Sequence, residues 1–238
     1  MSPLEQAFRW LNDPANWRGD SGVLYLTYQH LYISFFAVLL GCLIAWPLAV
    51  WMGHTGRGGG VTVVMSNVSR AVPTLALLTI FAVTPLGLGN TSTIVALGIF
   101  AIPPLLSNAY TGIRGVDPDV VDAARGMGLS ATQLLRRVEL PLATPLIAAG
   151  FRTAAVQVVA TATLAALVGG GGLGNIINLG FGLQNQGQIL AGGILVALLA
   201  LLAEGGLAVV ERWVTPASAK LQRRRPWWRR EVAAIPAG

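Results

Sequence analysis

The sequence predicts an all-α integral membrane bundle of about five transmembrane helices, with a polar helix-turn-helix between the third and fourth. Composition is the first observation: 11 % of the 238 residues are charged and 54 % are hydrophobic, whereas soluble domains carry about 25 % charge. The second is a set of five apolar runs, each near the ~20 residues that cross a bilayer. They run from Tyr28 to Met52, Val61 to Val83, Thr91 to Gly112, Leu142 to Val168 and Ile189 to Val210. Continuous runs of this kind are helical, because backbone groups in hydrocarbon must be satisfied within their own segment; the short alternating strands of a membrane barrel do not fit. The third is residues 113–141, where charges and helix-capping residues gather.

Three regions follow along the chain. Residues 1–27 are a polar N-terminal segment; Met1 to Asp20 holds five charges and no apolar core, so it does not read as a signal peptide. Residues 28–210 are the transmembrane domain. The first run contains Pro47 and the only cysteine, Cys42, which excludes a disulfide framework. The second contains Pro73, with Arg70 just before it. A charge at mid-bilayer is costly, so the membrane-buried part is expected to begin near Ala71, with Val61–Ser69 along the surface or packed inside protein. Pro103-Pro104 is expected to interrupt the third run, since proline removes a backbone bond and kinks helices.

Within the third run Asn108 and Thr111 are a polar pair, and in the fourth Thr153, Gln157 and Thr161 recur every four residues on one helix face. Two readings stand for them: they line a route through the bundle, or they hydrogen-bond to neighbouring helices. Glu204 near the end of the fifth run is placed close to the membrane interface. The tail, residues 211–238, carries seven bases against two acids around Trp227-Trp228. Following an apolar span, it reads as an anchor at the lipid surface and not as a nucleic-acid-binding segment.

Residues 113–141 spell two short helices. Asp117 caps the first, Pro118 takes its first turn, and Asp119 and Asp122 lie near the positive end of its dipole. Gly126 and Gly128 can end it, glycine tolerating left-handed backbone angles. Ser130 and Gln133 form a capping box for the second helix, Arg136 and Arg137 lie near its end, and Pro141 starts the fourth span.

Orientation follows from lysine and arginine placement. The connections His54–Gly60 and Ile113–Pro141, with the tail, hold Arg57, Arg114, Arg125, Arg136, Arg137 and the tail bases; Thr84–Asn90 and Gly169–Gln188 carry no charge. The first set is therefore cytoplasmic and the N-terminus extracytoplasmic, in a multi-pass protein of the cell membrane.

Several patterns suggest chemistry without the context for it. Gly169, Gly171 and Gly174 spell G-x-G-x-x-G, but after a membrane helix and not between a strand and a helix. Together with Gly172 they read as a flexible re-entrant loop, an outer gate or a contact for an external receptor. No phosphate-binding G-x-x-x-x-G-K-[ST] occurs. His30 and His54 fall near opposite faces and cannot share a metal, and no Ser-His-Asp set is evident. Neither a catalytic residue nor a metal ligand is assigned, and the chain itself carries no cofactor. Trp46, Trp51 and Tyr110 are aromatic faces of the kind that hold quaternary ammonium groups, but the sequence does not arrange them into a cage.

The run Asp122, Ala123, Ala124, then Gly128, then Val138, Leu140 and Pro141 resembles the coupling loop of ABC-importer permeases, whose pattern is E-A-A-x-x-x-G, nine residues, I-x-L-P. Asp122 stands for the Glu and Val138 for the Ile. With G-N-T-S-T-I-V-A-L at 89–97, P-P-L-L-S-N-A-Y-T-G-I-R-G-V-D-P at 103–118, R-V-E-L-P-L-A-T-P-L-I-A-A-G at 137–150 and L-V-G-G-G-G-L-G at 167–174, the chain is similar to permease subunits of osmoprotectant importers from about Leu31 to Leu207. Those systems take up glycine betaine, carnitine, choline or proline betaine. The resemblance implies a methionine-permease-like fold, a second permease copy or paralogue, two ABC ATPase subunits that bind ATP and Mg, and an extracytoplasmic substrate-binding protein. The same machine with an amino acid or other small solute as cargo is the nearest alternative, and an ion-coupled secondary transporter the next.

Overall fold

The computed structural model describes residues 2–215, leaving out the side chains of Ser66 and residues 68–71. The basic tail beyond Thr215 and the Arg70 side chain therefore lie outside the described residues. The described chain is helical, in the order α1 (Pro3–Asn12), α2 (Val23–Thr55), α3 (Gly59–Ala71), α4 (Thr74–Ala82), α5 (Asn90–Arg114), α6 (Pro118–Gly126), α7 (Ala131–Leu134), α8 (Leu140–Thr161), α9 (Gly174–Gly182) and α10 (Gln186–Val214). A π-turn, Leu135–Glu139, joins α7 to α8, and a 3-10 turn, Ala162–Val168, extends α8.

Among the described residues, four helical stretches are long and apolar enough to cross a membrane: Val23–Thr55, Asn90–Arg114, Ala131–Val168 and Gln186–Val214. At 1.5 Å per residue the 33-residue α2 is about 50 Å long, more than the ~30 Å hydrocarbon core. The second expected span is broken instead. Pro73 cannot donate a helical hydrogen bond and drives Val72 out of the helical region, so α3 stops at Ala71 and α4 restarts at Thr74. At 13 and 9 residues, neither piece reaches ~30 Å alone. Both pack on α5.

Other prolines behave differently. Pro47 in α2 and Pro145 in α8 leave those helices unbroken, and α5 runs straight through Pro103-Pro104, contrary to expectation. What sets α5 apart from the α3–α4 segment is enclosure by its neighbours. Pro103 is buried and α5 is the central helix, packed against α2 on one side and α8 on the other, so its neighbours hold the helix where two backbone bonds are missing.

The seam between α2 and α5 is built from small residues. Ala37, Gly41, Ala45, Ala49 and Gly53 recur every four residues along α2 and are all buried. A Cβ on Gly41 would lie 3.0 Å from Ala101 Cβ, and one on Gly98 would lie 2.8 Å from Leu40 Cδ2. Close backbone approach of this kind is how membrane helices associate without a hydrophobic drive between them. At the α5–α8 contact a Cβ on Gly150 would stand 2.5 Å from Asn108 Cβ. The N-terminal segment is also ordered: Ser2 and Glu5 form a capping box for α1, which packs on α10 where Gly187 meets Gln6.

The helices sort the connections onto two ends of the bundle. The starts of α2, α5 and α10 meet the chain after the 3-10 turn at one end. The ends of α2 and α5 and the start of α8 meet around residues 113–140 at the other. These are the two sets that lysine and arginine placement separated.

Candidate functional site

The polar elbow comprises α6, its turn and α7. Asp117 Oδ1 accepts from the Asp119 N–H at 3.0 Å, capping α6. At its far end Gly128 has φ +82°, the Gly128 N–H donates to Arg125 O at 2.9 Å and the Leu129 N–H to Ala124 O at 3.2 Å. That pair of bonds with a left-handed glycine is the Schellman stop. Gly126 remains helical, so Gly128 alone makes the joint. Asp122 and Ala123 are exposed and Ala124 is buried. Nothing in the chain lies within 4 Å of where a Gly128 Cβ would stand.

The capping box of the second helix is present, with the Gln133 N–H on Ser130 Oγ at 3.4 Å and the Ser130 N–H on Gln133 Oε1 at 2.9 Å. Pro141 does not begin a new helix. The helix runs from Ala131 into α8, and the π-turn just before Pro141, closed by the Leu140 N–H on Leu135 O, takes up the residue lacking a donor. The elbow's second arm and the α8 span are thus one rod.

At the base of the elbow two consecutive residues of α2 meet its two strands. A Gly53 Cβ would lie 2.9 Å from Ile113 Cβ, so α2 touches the end of α5 there. His54 Nδ1 donates to Glu139 Oε2 at 2.5 Å, with Glu139 only 6 % exposed. Val138 and Leu140 flank this carboxylate. Sequence reasoning passed over Glu139; the signal was an acid set directly before the Leu-Pro that opens an apolar span.

The polar stripe falls on an open face. The hydroxyls of Thr153 and Thr161 bond back to Ala149 O and Gln157 O, and Asn108 Nδ2 to Pro104 O, all within their own helices. They are not spent on neighbouring helices. Thr111, Thr153 and Gln157 are exposed, while Asn108 and Thr161 are half-buried.

The glycine loop is held by side chains of α2 and α5. Residues 170–174 are buried, and three successive backbone N–H groups are held by side chains: Gly171 by Asn90 Oδ1 at 2.7 Å, Gly172 by Gln29 Oε1 at 3.2 Å and Leu173 by His30 Nδ1 at 3.3 Å. Because Nδ1 accepts, His30 carries its proton on Nε2 and donates it to Val159 O at 2.8 Å. Each glycine has a reason. Gly169 and Gly172 have φ +73° and +102°, a Gly171 Cβ would lie 2.2 Å from Gln29 Oε1, and a Gly174 Cβ would lie 1.9 Å from Thr163 O. A polar cavity of about 570 Å³ adjoins the loop, lined by Trp10, Arg18, Asp20, Gln29, Asn90 and Gln188 among others.

Arg152, a lone charge in the fourth apolar run, was also missed. Its Nε lies 3.4 Å from Glu204 Oε1 and its Nη1 2.8 Å from Glu211 Oε2, tying α8 to α10. A charge inside a span demands a partner, which is the signal that pointed to Glu204. Trp46 packs on Phe151 beside this site, ring centres 6.1 Å apart.

The chain is similar to known proteins in sequence and in fold. The choline transport system permease protein OpuBB of Bacillus subtilis is 42 % identical over 195 residues, covering 82 % of this chain and 89 % of that protein. The carnitine transport permease protein OpuCB of Listeria monocytogenes is 40 % identical over 194 residues, covering 82 % and 88 %. An inward-facing structure of the MetNI methionine ABC transporter superposes with a TM-score of 0.70 at 21 % identity, covering 82 % of this chain and 96 % of that one, so the methionine-permease-like fold holds. With the family profile matching residues 37–216, the chain belongs to the binding-protein-dependent transport system inner membrane components.

Proposed function

We propose that this chain is the transmembrane subunit of an ATP-driven importer for compatible solutes such as glycine betaine, choline, carnitine or proline betaine. One observation carries the reading: an elbow with the Asp122-Ala123-Ala124, Gly128, Leu140-Pro141 register is continuous with a membrane-crossing rod. In the cell membrane the elbow faces the cytoplasm and meets ABC ATPase subunits, which bind ATP and Mg. The N-terminus, residues 1–27, is on the outer side, and the basic tail, residues 211–238, is cytoplasmic. The permease pairs with a second copy or a paralogue. A substrate-binding protein delivers solute to the polar cavity beside Gly169, Gly171, Gly172 and Gly174, the outer gate.

ATP binding closes the ATPases on the elbow, and the α7–α8 rod carries the motion into the bundle. The stripe of Asn108, Thr111, Thr153, Gln157 and Thr161 then faces the passing solute. Coupling of this kind requires that the ATPases bind the two conformations of the bundle with different affinity.

Cargo is read by reconstituting the chain with its ATPase and receptor and measuring uptake of labelled choline, glycine betaine and carnitine against methionine. Saturable, ATP-dependent uptake of at least one quaternary ammonium solute is expected. Uptake of methionine alone would replace the cargo while keeping the machine.

A further inference from the structure

We propose that Glu139 and His54 are positioning residues for coupling, and that the end of α2 is the fulcrum on which the elbow turns. The inference rests on the coupling reading above. Three placements lead to it. Gly53 and His54, adjacent in sequence, grip the two strands at the base of the elbow, one through Ile113 and the other through Glu139. Glu139 is the last residue of the π-turn, where the elbow's second arm becomes the α8 span. The carboxylate is almost fully buried, so its hydrogen bond to His54 is the condition for its burial there.

The mechanics follow from packing. α2 and α5 are locked together along a ridge of small residues, so their pair is the stiff body. A push on α6 and α7 reaches α8 through the π-turn. A rod pushed at one end turns as a lever only if it is held at a pivot along its length. Among the described residues, the polar tie between the stiff body and the rod at this level is His54 Nδ1–H to Glu139 Oε2. With the tie in place, displacement of the elbow becomes a tilt of α8. Without it, the π-turn, which has one residue too many for regular α-geometry, absorbs the displacement by rewinding locally.

The test uses the complete transporter in liposomes, with solute imported per ATP hydrolysed as the readout. Glu139→Leu and His54→Phe break the bond, and Glu139→Gln keeps an acceptor for the His54 N–H. Import per ATP should fall about tenfold in each breaking variant, within the range of measured site-to-site coupling. The double variant Glu139→Leu/His54→Phe should be no worse than either single one, as expected for two residues acting as one unit, and Glu139→Gln should stay within about twofold of the unaltered protein. ATP hydrolysis and co-purification of the ATPase should persist in all of them. Import per ATP unchanged in the breaking variants, losses that multiply in the double variant, or losses that only track loss of assembled complex would each overturn the proposal. An unaltered transporter that imports solute without ATP would instead overturn the coupling reading beneath it.

Discussion

Gly174 and Gly128 are both glycines at turns, yet substitution should cost each of them for a different reason. At Gly174 a methyl group would meet the backbone carbonyl of Thr163, which cannot move aside without shifting the 3-10 turn. Gly174→Ala should therefore lower bundle stability by about 1–3 kcal/mol, the usual cost of overpacking. Gly128 has only its left-handed backbone to defend, with open space around it, so Gly128→Ala should cost about 1 kcal/mol in the folded chain. Thermal unfolding in detergent distinguishes the two. If uptake by the Gly128→Ala complex falls much further than its stability, the loss lies in the contact with the ATPase. Both glycines stand out in the sequence. That one is crowded from within and the other open is set by how separate elements pack.

The elbow and α8 behave as one element, and this was only half legible. The caps at Asp117 and Ser130 and the glycine stop were readable, because capping is local chemistry between residues two to five apart. The fusion of α7 to α8 was not, since Pro141 at the head of an apolar run reads as a start. The π-turn that accommodates it belongs to the continuous rod. Removing Arg136 should convert the π-turn to regular α-helix and rotate the elbow by about 100° relative to α8 at 3.6 residues per turn. The expected result is an assembled bundle of near-normal stability with strongly reduced transport. Normal uptake by that deletion would show that the elbow's angle is unimportant. The broken second apolar run has a similar lesson. Pro73 breaks its helix while Pro103-Pro104 does not, because α5 is enclosed by neighbours and the α3–α4 segment packs chiefly on one helix.

At the scale of the whole molecule, the proposed function makes the bundle a transmission driven by a separate ATPase. Liposomes holding this chain alone should move no solute above background under ion gradients, and uptake should begin when the ATPase and ATP are supplied. Gradient-driven uptake by the chain alone would place it among secondary transporters. By itself the sequence determined the membrane class, the apolar runs, which connections share an end, and the register of the elbow. Each of these depends on composition or on residues close together in the chain. Only the tertiary structure decided that His54 meets Glu139, that Gln29, His30 and Asn90 pin the glycine loop, and that Arg152 ties α8 to α10. Those partners lie on different helices, and which faces meet depends on how closely small residues let the backbones approach, a property of the packed bundle that no single stretch of sequence contains.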